Sequence, residues 1–200
     1  MKLRHLEDFL SKNQTTFSRP KIVHEQYATD PHLAACMIWT AFESGDLEDS
    51  TVALDVGCGC GMLSMAASQF AALCLAVDID ADVFGDFDYE AFDIDCIRAD
   101  VRQGLGFLRP GIVDTALTNP PFGTKMNAGI DSQFVEAALS VSRVCYSLHK
   151  SSCRAVLEQK LRRYYPKVLA EMSFQLPRQY RFHRQENVDI SVDLIRTTLE

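Results

Sequence analysis

Thr51-Val52-Ala53-Leu54-Asp55-Val56-Gly57-Cys58-Gly59-Cys60-Gly61 runs an apolar, strand-like stretch directly into three alternating glycines. A helical pattern follows, with Leu63, Met65, Ala66, Ala67 and Phe70 apolar. Strand, glycine turn and helix in that order make the first βα turn of a nucleotide-binding sheet. Glycines admit positive φ and let a ligand approach the backbone, while the helix that follows presents unpaired N–H groups. The spacing is G-x-G-x-G, one residue short of the G-x-G-x-x-G of dinucleotide folds, so the glycines alone are moderate evidence.

Outward from this turn, apolar runs end repeatedly in an acid or an amide. The run Ala71 to Val77 ends at Asp78, 21 residues after Gly57, where a carboxylate can take the two hydroxyls of a ribose. Ile94 to Ala99 ends at Asp100, and Ile112 to Leu117 leads to Asn119. Each Asp taken singly reads equally well as a solvated strand end or a helix cap. Together, Asp55, Asp78, Asp100 and Asn119 stand at the ends of four successive strand candidates. Open parallel sheets bind ligands outside the carboxyl ends of their strands, so these residues would line one crevice.

Asn119-Pro120-Pro121-Phe122 is the most informative short segment. Two consecutive prolines deny the chain a helix or a ladder bond, leaving the carbonyls of Asn119 and Pro120 free to face a ligand. An exocyclic amine suits them: its N–H groups can bond the Asn119 side-chain oxygen and the Pro120 carbonyl while Phe122 stacks on the ring. An isolated Asn-Pro-Pro-Phe also reads as a turn with a core phenylalanine; the glycine turn upstream shifts the balance.

With both motifs in place, the chain resembles class I S-adenosylmethionine-dependent methyltransferases of the N6-adenine type. More narrowly, it resembles the methyltransferase-like family that modifies an adenine of small-subunit ribosomal RNA. The residues that carry the resemblance are Glu25-Gln26-Tyr27-Ala28-Thr29, the turn Asp55 to Gly61, Asn119 to Lys125, Tyr146 to Ser152 and Val188 to Arg196, in the family's order. Two departures are the absence of a glycine in Ser68-Gln69-Phe70-Ala71 and the acidic segment Asp80 to Ile94.

The resemblance implies a cofactor site for S-adenosylmethionine. Its ribose would lie on Asp78, its adenine edge near Asp100 and Val101, and its methionine end over Gly57 to Gly61, with Asp55, Cys58, Gly59 and Cys60 among the cofactor-binding residues. Gln26, Thr29 and Met62 complete that site by resemblance. It also implies a heterodimer with a small zinc-binding activator subunit. Sequence offers that partner an apolar edge at Leu73 and Leu75, with Val83, Phe84 and Phe87 after it, although core packing is an equally open fate for these residues. Two other functions stay open: methylation of a protein glutamine, and a noncatalytic ribosome-assembly factor that binds cofactor and RNA.

The fold expected is α/β and Rossmann-like, a mostly parallel seven-stranded sheet with helices on both faces. Patterns place helices at residues 2–12, 31–42, 61–70, 81–91, 131–141 and 151–163, and strands at 51–56, 72–77, 94–99, 112–118 and 142–148. Val168 to Leu176 and Val188 to Thr197 alternate without a helix between them and suggest a terminal antiparallel hairpin. One domain of residues 1–200 is expected, in which 1–45 form a helical extension that contributes to the cofactor site. At 200 residues and 47% hydrophobic, the chain can bury a sizeable core. No run reaches the roughly 20 apolar residues of a membrane span. The seven cysteines lack C-x-x-C spacing, so a reducing compartment is expected and no metal site in this chain; the resemblance implies nucleus (nucleolus) and cytoplasm.

The net charge of -7 conceals an asymmetry. Residues 41–100 hold 14 acidic side chains and one basic, Arg98, whereas residues 143–184 are predominantly basic. The acidic balance argues against strong autonomous nucleic-acid binding, and the basic block reads either as a solvated face or as an RNA-facing surface. Its candidates, with the entrance lysine, are Lys125, His149, Lys150, Arg181 and Arg184.

Overall fold

Alternate residues of the central strands serve opposite faces of the sheet: Ala53, Cys74 and Ala76 point into one cluster, Leu54, Val56, Leu75 and Val77 into the other. A strand buried on both faces is apolar at most positions, which is why these runs carry no period-2 polarity. The computed structural model describes residues 1–122, 129–177 and 187–199, with backbone alone for 174–177 and 187–189.

The strands are β1 Val52–Val56, β2 Leu73–Asp78, β3 Ile94–Arg98, β4 Val113–Thr118, β5 Ser142–Lys150, β6 Lys167–Pro177 and β7 Asn187–Thr198. They form one seven-stranded sheet in the order β3-β2-β1-β4-β5-β7-β6. β1 through β5 are parallel, and β7 pairs antiparallel with both β5 and β6. The expected parallel sheet closed by a hairpin is therefore present. Its order reverses between β1 and β4, and the crevice for a ligand opens outside their carboxyl ends.

Helices α1 Leu3–Lys12, α2 Pro31–Glu43 and α3 Met62–Ala67 cover one face; α4 Ile130–Leu139 and α5 Arg154–Lys160 cover the other. α2 starts where its sequence dictates. The Asp30 carboxylate accepts from the N–H groups of His32 (2.8 Å) and Leu33 (3.4 Å), and Pro31 occupies the first turn, where its missing N–H costs nothing. At the far end, Asp46 receives Arg196 Nε (2.7 Å) and Tyr146 Oη (2.6 Å), which ties the exit of α2 to β7 and β5.

One element departs from the pattern. The helix expected over 81–91 is two 3₁₀ turns, Ala81–Gly85 and Glu90–Phe92. Aspartates here bond nearby backbone instead of continuing a helix: Asp80 accepts from Asp82 N and Asp88 from Ala91 N. Aromatic packing then holds the irregular path, with Phe87 edge-on to Tyr89 at 4.7 Å and stacked on Phe92 at 5.1 Å. Residues 151–163 are likewise subdivided, α5 being flanked by 3₁₀ turns at Ser151–Cys153 and Arg162–Tyr164.

Leu54 sits at the centre of this sheet with no solvent exposure. Leu54→Ala is expected to destabilise the fold by about 3 kcal/mol, the usual cost of a large-to-small change in a core that cannot collapse. A lower urea midpoint at unchanged m value is the measurement; a shift worth less than about 1 kcal/mol would mean that the two layers close over the void.

Candidate active site

The glycine turn at the end of β1 is held to the end of β2, because the N–H groups of Gly57 and Cys58 both donate to the Val77 carbonyl at 2.8 and 3.0 Å. Glycines of this turn have positive φ and neighbours that crowd a side chain. At Gly57 (φ 74°) a Cβ would lie 2.7 Å from Phe134 Cε1, and at Gly59 (φ 52°) 2.8 Å from Phe17 Cζ. The Gly59 N–H donates to Asp78 Oδ2 at 3.0 Å, and Asp80 N–H donates to Asp78 Oδ1 at 2.8 Å. Each carboxylate oxygen of Asp78 therefore keeps a lone pair beyond its backbone bond. Burial raises the Asp78 pKa despite these two donors.

An N-terminal segment closes one side of the cleft. Lys21 Nζ lies 2.5 Å from Asp80 Oδ1 and 2.7 Å from Asp82 Oδ2. Gln26 Nε2 donates to Asp80 Oδ2 at 2.9 Å, while its Oε1 accepts from Lys21 N–H at 2.7 Å. Burial opposes ionisation of Asp80, but the Lys21 ammonium and the Gln26 amide outweigh it and hold that carboxyl below its ordinary range. A strap of residues 21–29 is thus pinned across the mouth of β2.

The strap also reaches the end of β4. Tyr27 Oη donates to Asn119 Oδ1 at 2.9 Å, and Asn119 Nδ2 donates to Thr29 Oγ1 at 3.0 Å. The Tyr27 ring stacks on Phe122 with centroids 5.3 Å apart, and Lys150 Nζ lies 5.3 Å from the Phe122 centroid.

Gln26, Tyr27, Thr29, Asp78, the glycine turn and Asn119 share one cleft, whereas Pro120 and Phe122, expected from the sequence at the site, do not line it. Its lining comprises Phe17, Val23, His24, Gln26, Tyr27 and Thr29 from the N-terminal segment, the turn Gly57 to Cys60 with Met62, then Asp78 and Ile79. Asp100, Val101, Arg102, Asn119, Pro121, Ile130 and Phe134 complete it. Asp100 Oδ1 caps the turn that starts at Val101 through the Arg102 N–H, and the Arg102 guanidinium binds both of its oxygens at 2.9 and 2.7 Å. Asp55 stands behind the turn and does not line the cleft. Its Oδ2 accepts from Ser64 Oγ at 2.5 Å, whereas Oδ1 is buried without a partner among the described residues. Burial pushes the Asp55 pKa up to about 7, against the Ser64 hydrogen bond.

Several sequence expectations need correction. His149, expected on the RNA-facing surface, is fully buried; among the described residues neither ring nitrogen has a hydrogen-bond partner, and Nδ1 lies 3.6 Å from Asp131 Oδ2. β5 is the fifth strand from the β3 edge, flanked by β4 and β7, and is covered on both faces, so its side chains at this level point into packing rather than solvent. The basic block is partly neutralised: Arg154 binds Asp193 and Glu171, Arg163 binds Glu136 and Arg143 faces Asp114. Lys125, Arg181 and Arg184 lie outside the described residues. Sequence reasoning missed Tyr27, Asp80, Arg102 and Phe134 as site residues. Tyr27 lies inside the Glu25-to-Thr29 segment and was within reach; Phe134 reads only as an apolar helix position.

Comparison with known proteins agrees with this architecture. A family profile described as ribosomal protein L11 methyltransferase (PrmA) matches residues 27–83. The rRNA N(6)-adenosine-methyltransferase METTL5 of Danio rerio is 42% identical over 207 residues, covering 99% of each chain. The corresponding enzyme of Caenorhabditis elegans, metl-5, is 40% identical, covering 90% of each. The chain belongs to the METTL5 family of rRNA N6-adenosine methyltransferases. A crystal structure from Pyrococcus horikoshii superposes on all of this chain and 97% of its own with a TM-score of 0.82 at 27% identity. The family's cofactor is S-adenosylmethionine, and the residues present fit it. Gly57 and Gly59 leave the cleft floor free of Cβ atoms, and the Asp78 carboxylate can accept from a ribose diol.

Asp55 sets a test of the electrostatics. Its unfolded pKa is about 4, so between about pH 4 and 7 the folded state binds the extra proton and stability falls as pH rises. Asp55→Asn removes that penalty. The apo variant is expected to melt several degrees above the parent at about pH 8 and level with it at about pH 4; an equal loss at both would place an ionised Asp55 in a stabilising role.

Proposed function

We propose that this chain transfers a methyl group from S-adenosylmethionine to N6 of an adenine in small-subunit ribosomal RNA. The observation that carries the proposal is the Asn119 carboxamide, anchored by Tyr27 and Thr29, at the rim of a glycine-floored cleft.

Bound in the cleft, S-adenosylmethionine supplies an electrophilic methyl on a sulfonium. Gly57 to Cys60, Asp78, Asp100 and Val101, with Gln26 nearby, would hold it. The target adenine leaves its stack at a cost of a few kcal/mol, least where the RNA is already single-stranded. Asn119 Oδ1, with Tyr27 on one lone pair, has another for an N6–H; the Pro120 carbonyl takes the second N–H. These two bonds localise the nitrogen lone pair that would otherwise delocalise into the ring, and alignment in a desolvated cleft lowers the barrier further. No general base is needed before transfer, because the amine becomes acidic only as it is alkylated. Phe122 supplies the aromatic platform and Lys150, beside it, a phosphate contact.

The finer part of the proposal concerns the partner. A small zinc-binding activator subunit would cover the β3 edge of the sheet, where β2 is the one neighbouring strand among the described residues. Leu73, 38% exposed, adjoins that edge. Leu75 and Val83, expected there from sequence, are core residues, and Phe84 and Phe87 are half-buried in aromatic contacts. The isolated chain is expected to aggregate and the co-expressed complex to be soluble; a soluble, fully active monomer would refute the heterodimer. A small-subunit RNA substrate puts the enzyme in the nucleolus and the cytoplasm.

The complex, given labelled cofactor with total RNA or total protein, should label RNA as N6-methyladenosine, read by nucleoside mass spectrometry. Asn119→Ala should lower kcat by about a hundredfold or more. Label confined to protein would replace adenine by a glutamine amide as the acceptor.

A further inference from the structure

We infer that Tyr27 is a positioning residue for methyl transfer: it acts on the acceptor through Asn119 and Phe122 and leaves cofactor affinity unchanged. The inference rests on the reaction proposed above and names the group that holds its key amide in place.

Three observations carry it. The Tyr27 hydroxyl donates to Asn119 Oδ1 at 2.9 Å, the atom that must accept from the substrate amine. The ring of Tyr27 stacks on Phe122 at 5.3 Å and 29°, so one side chain braces both the amide and the aromatic platform. Its neighbour Gln26 turns the other way, into the Asp80 and Lys21 network beside the cofactor carboxylate Asp78. Adjacent residues of one strap thus hold the two halves of the site.

A primary carboxamide on a freely rotating side chain can offer the substrate either its oxygen or its NH2. Only the oxygen can accept from adenine N6, and a presented NH2 would repel the amine. Tyr27 on one polar atom and Thr29 on the other stop the amide from rotating freely and hold Oδ1 where it stands, and restraint within a few tenths of an ångström is what in-line transfer needs. The phenol is no proton acceptor here: burial holds its pKa well above the ordinary value, so it stays a neutral O–H donor across the working pH range.

Tyr27→Phe keeps the ring and deletes the donor. In the full chain with its activator subunit, kcat on RNA should fall about tenfold while cofactor Kd, by calorimetry, and Tm stay within about twofold and 2 °C of wild type. Tyr27→Leu, lacking ring and hydroxyl, should lose about a hundredfold. In an Asn119→Ala background, Tyr27→Phe should change the residual rate no further, since its effect passes through that amide. An unchanged kcat for Tyr27→Phe in an active enzyme would overturn the assignment alone, as would a loss matched by weaker cofactor binding. A wild-type complex that methylates no RNA would overturn the assignment together with the reaction on which it rests.

Discussion

Three phenylalanine rings stand where three glycines have no Cβ, and the site depends on that contact. Phe134 of α4 abuts Gly57, Phe17 of the N-terminal segment abuts Gly59, and Phe87 of the acidic segment abuts Gly61, each within 2.6–2.8 Å of where a Cβ would be. Elements far apart in sequence converge on one turn because it alone offers bare backbone. Dispersion between ring and backbone is weak per atom pair but summed over three rings, and it also excludes water from the turn's flanks. The face left open is the cleft floor. A methyl added at Gly57 or Gly59 would displace a ring that lines the cleft, Phe134 or Phe17; one added at Gly61 would displace Phe87 behind it.

Polar contacts then fix what packing alone would leave loose. Lys21 and Gln26 bind Asp80, whose backbone N–H in turn serves Asp78. This chain of bonds runs from the strap, through the end of β2, to the glycine turn that Asp78 caps at Gly59. Buried carboxylates survive only with such donors. Asp78 and Asp80 have theirs, whereas Asp55, with one hydroxyl and one orphaned oxygen, shifts toward the neutral acid. The same strap carries Tyr27, so the order that holds the cofactor side also holds the Asn119 amide.

Legibility in the sequence follows from range. The glycine turn, Asp30 with Pro31, and the Asn-Pro-Pro run announce themselves because each is decided by local backbone chemistry: positive φ, a capped N-terminus, a missing N–H. The strand ends at Asp78, Asp100 and Asn119 were legible for a similar reason, an apolar run meeting a polar stop. Tyr27 on Asn119 spans 92 positions of sequence, and no local pattern marks it. His149 failed in the opposite sense. A histidine between tyrosine, leucine and lysine reads as surface, yet it occupies a strand covered on both faces, and only the sheet order reveals that. The 81–91 helix was lost because aspartates and aromatics found better partners outside a helix than within one, with Gly61 waiting to receive Phe87.

Charge asymmetry completes the physical picture. Positions 41–100, which supply the glycine turn and the ends of β1 and β2, hold fourteen acidic residues and a single basic one. Of these, Asp78 and Asp100 line the cleft, Asp100 paired with Arg102, while Asp80 behind Asp78 is paired with Lys21, so Asp78 is the carboxylate there without a cationic partner among the described residues. Lys150, by contrast, lies over the ring of Phe122, which stacks on the Tyr27 that binds Asn119. An acidic balance of this size over residues 41–100 means that net affinity for RNA has to come from surfaces other than that part of the chain.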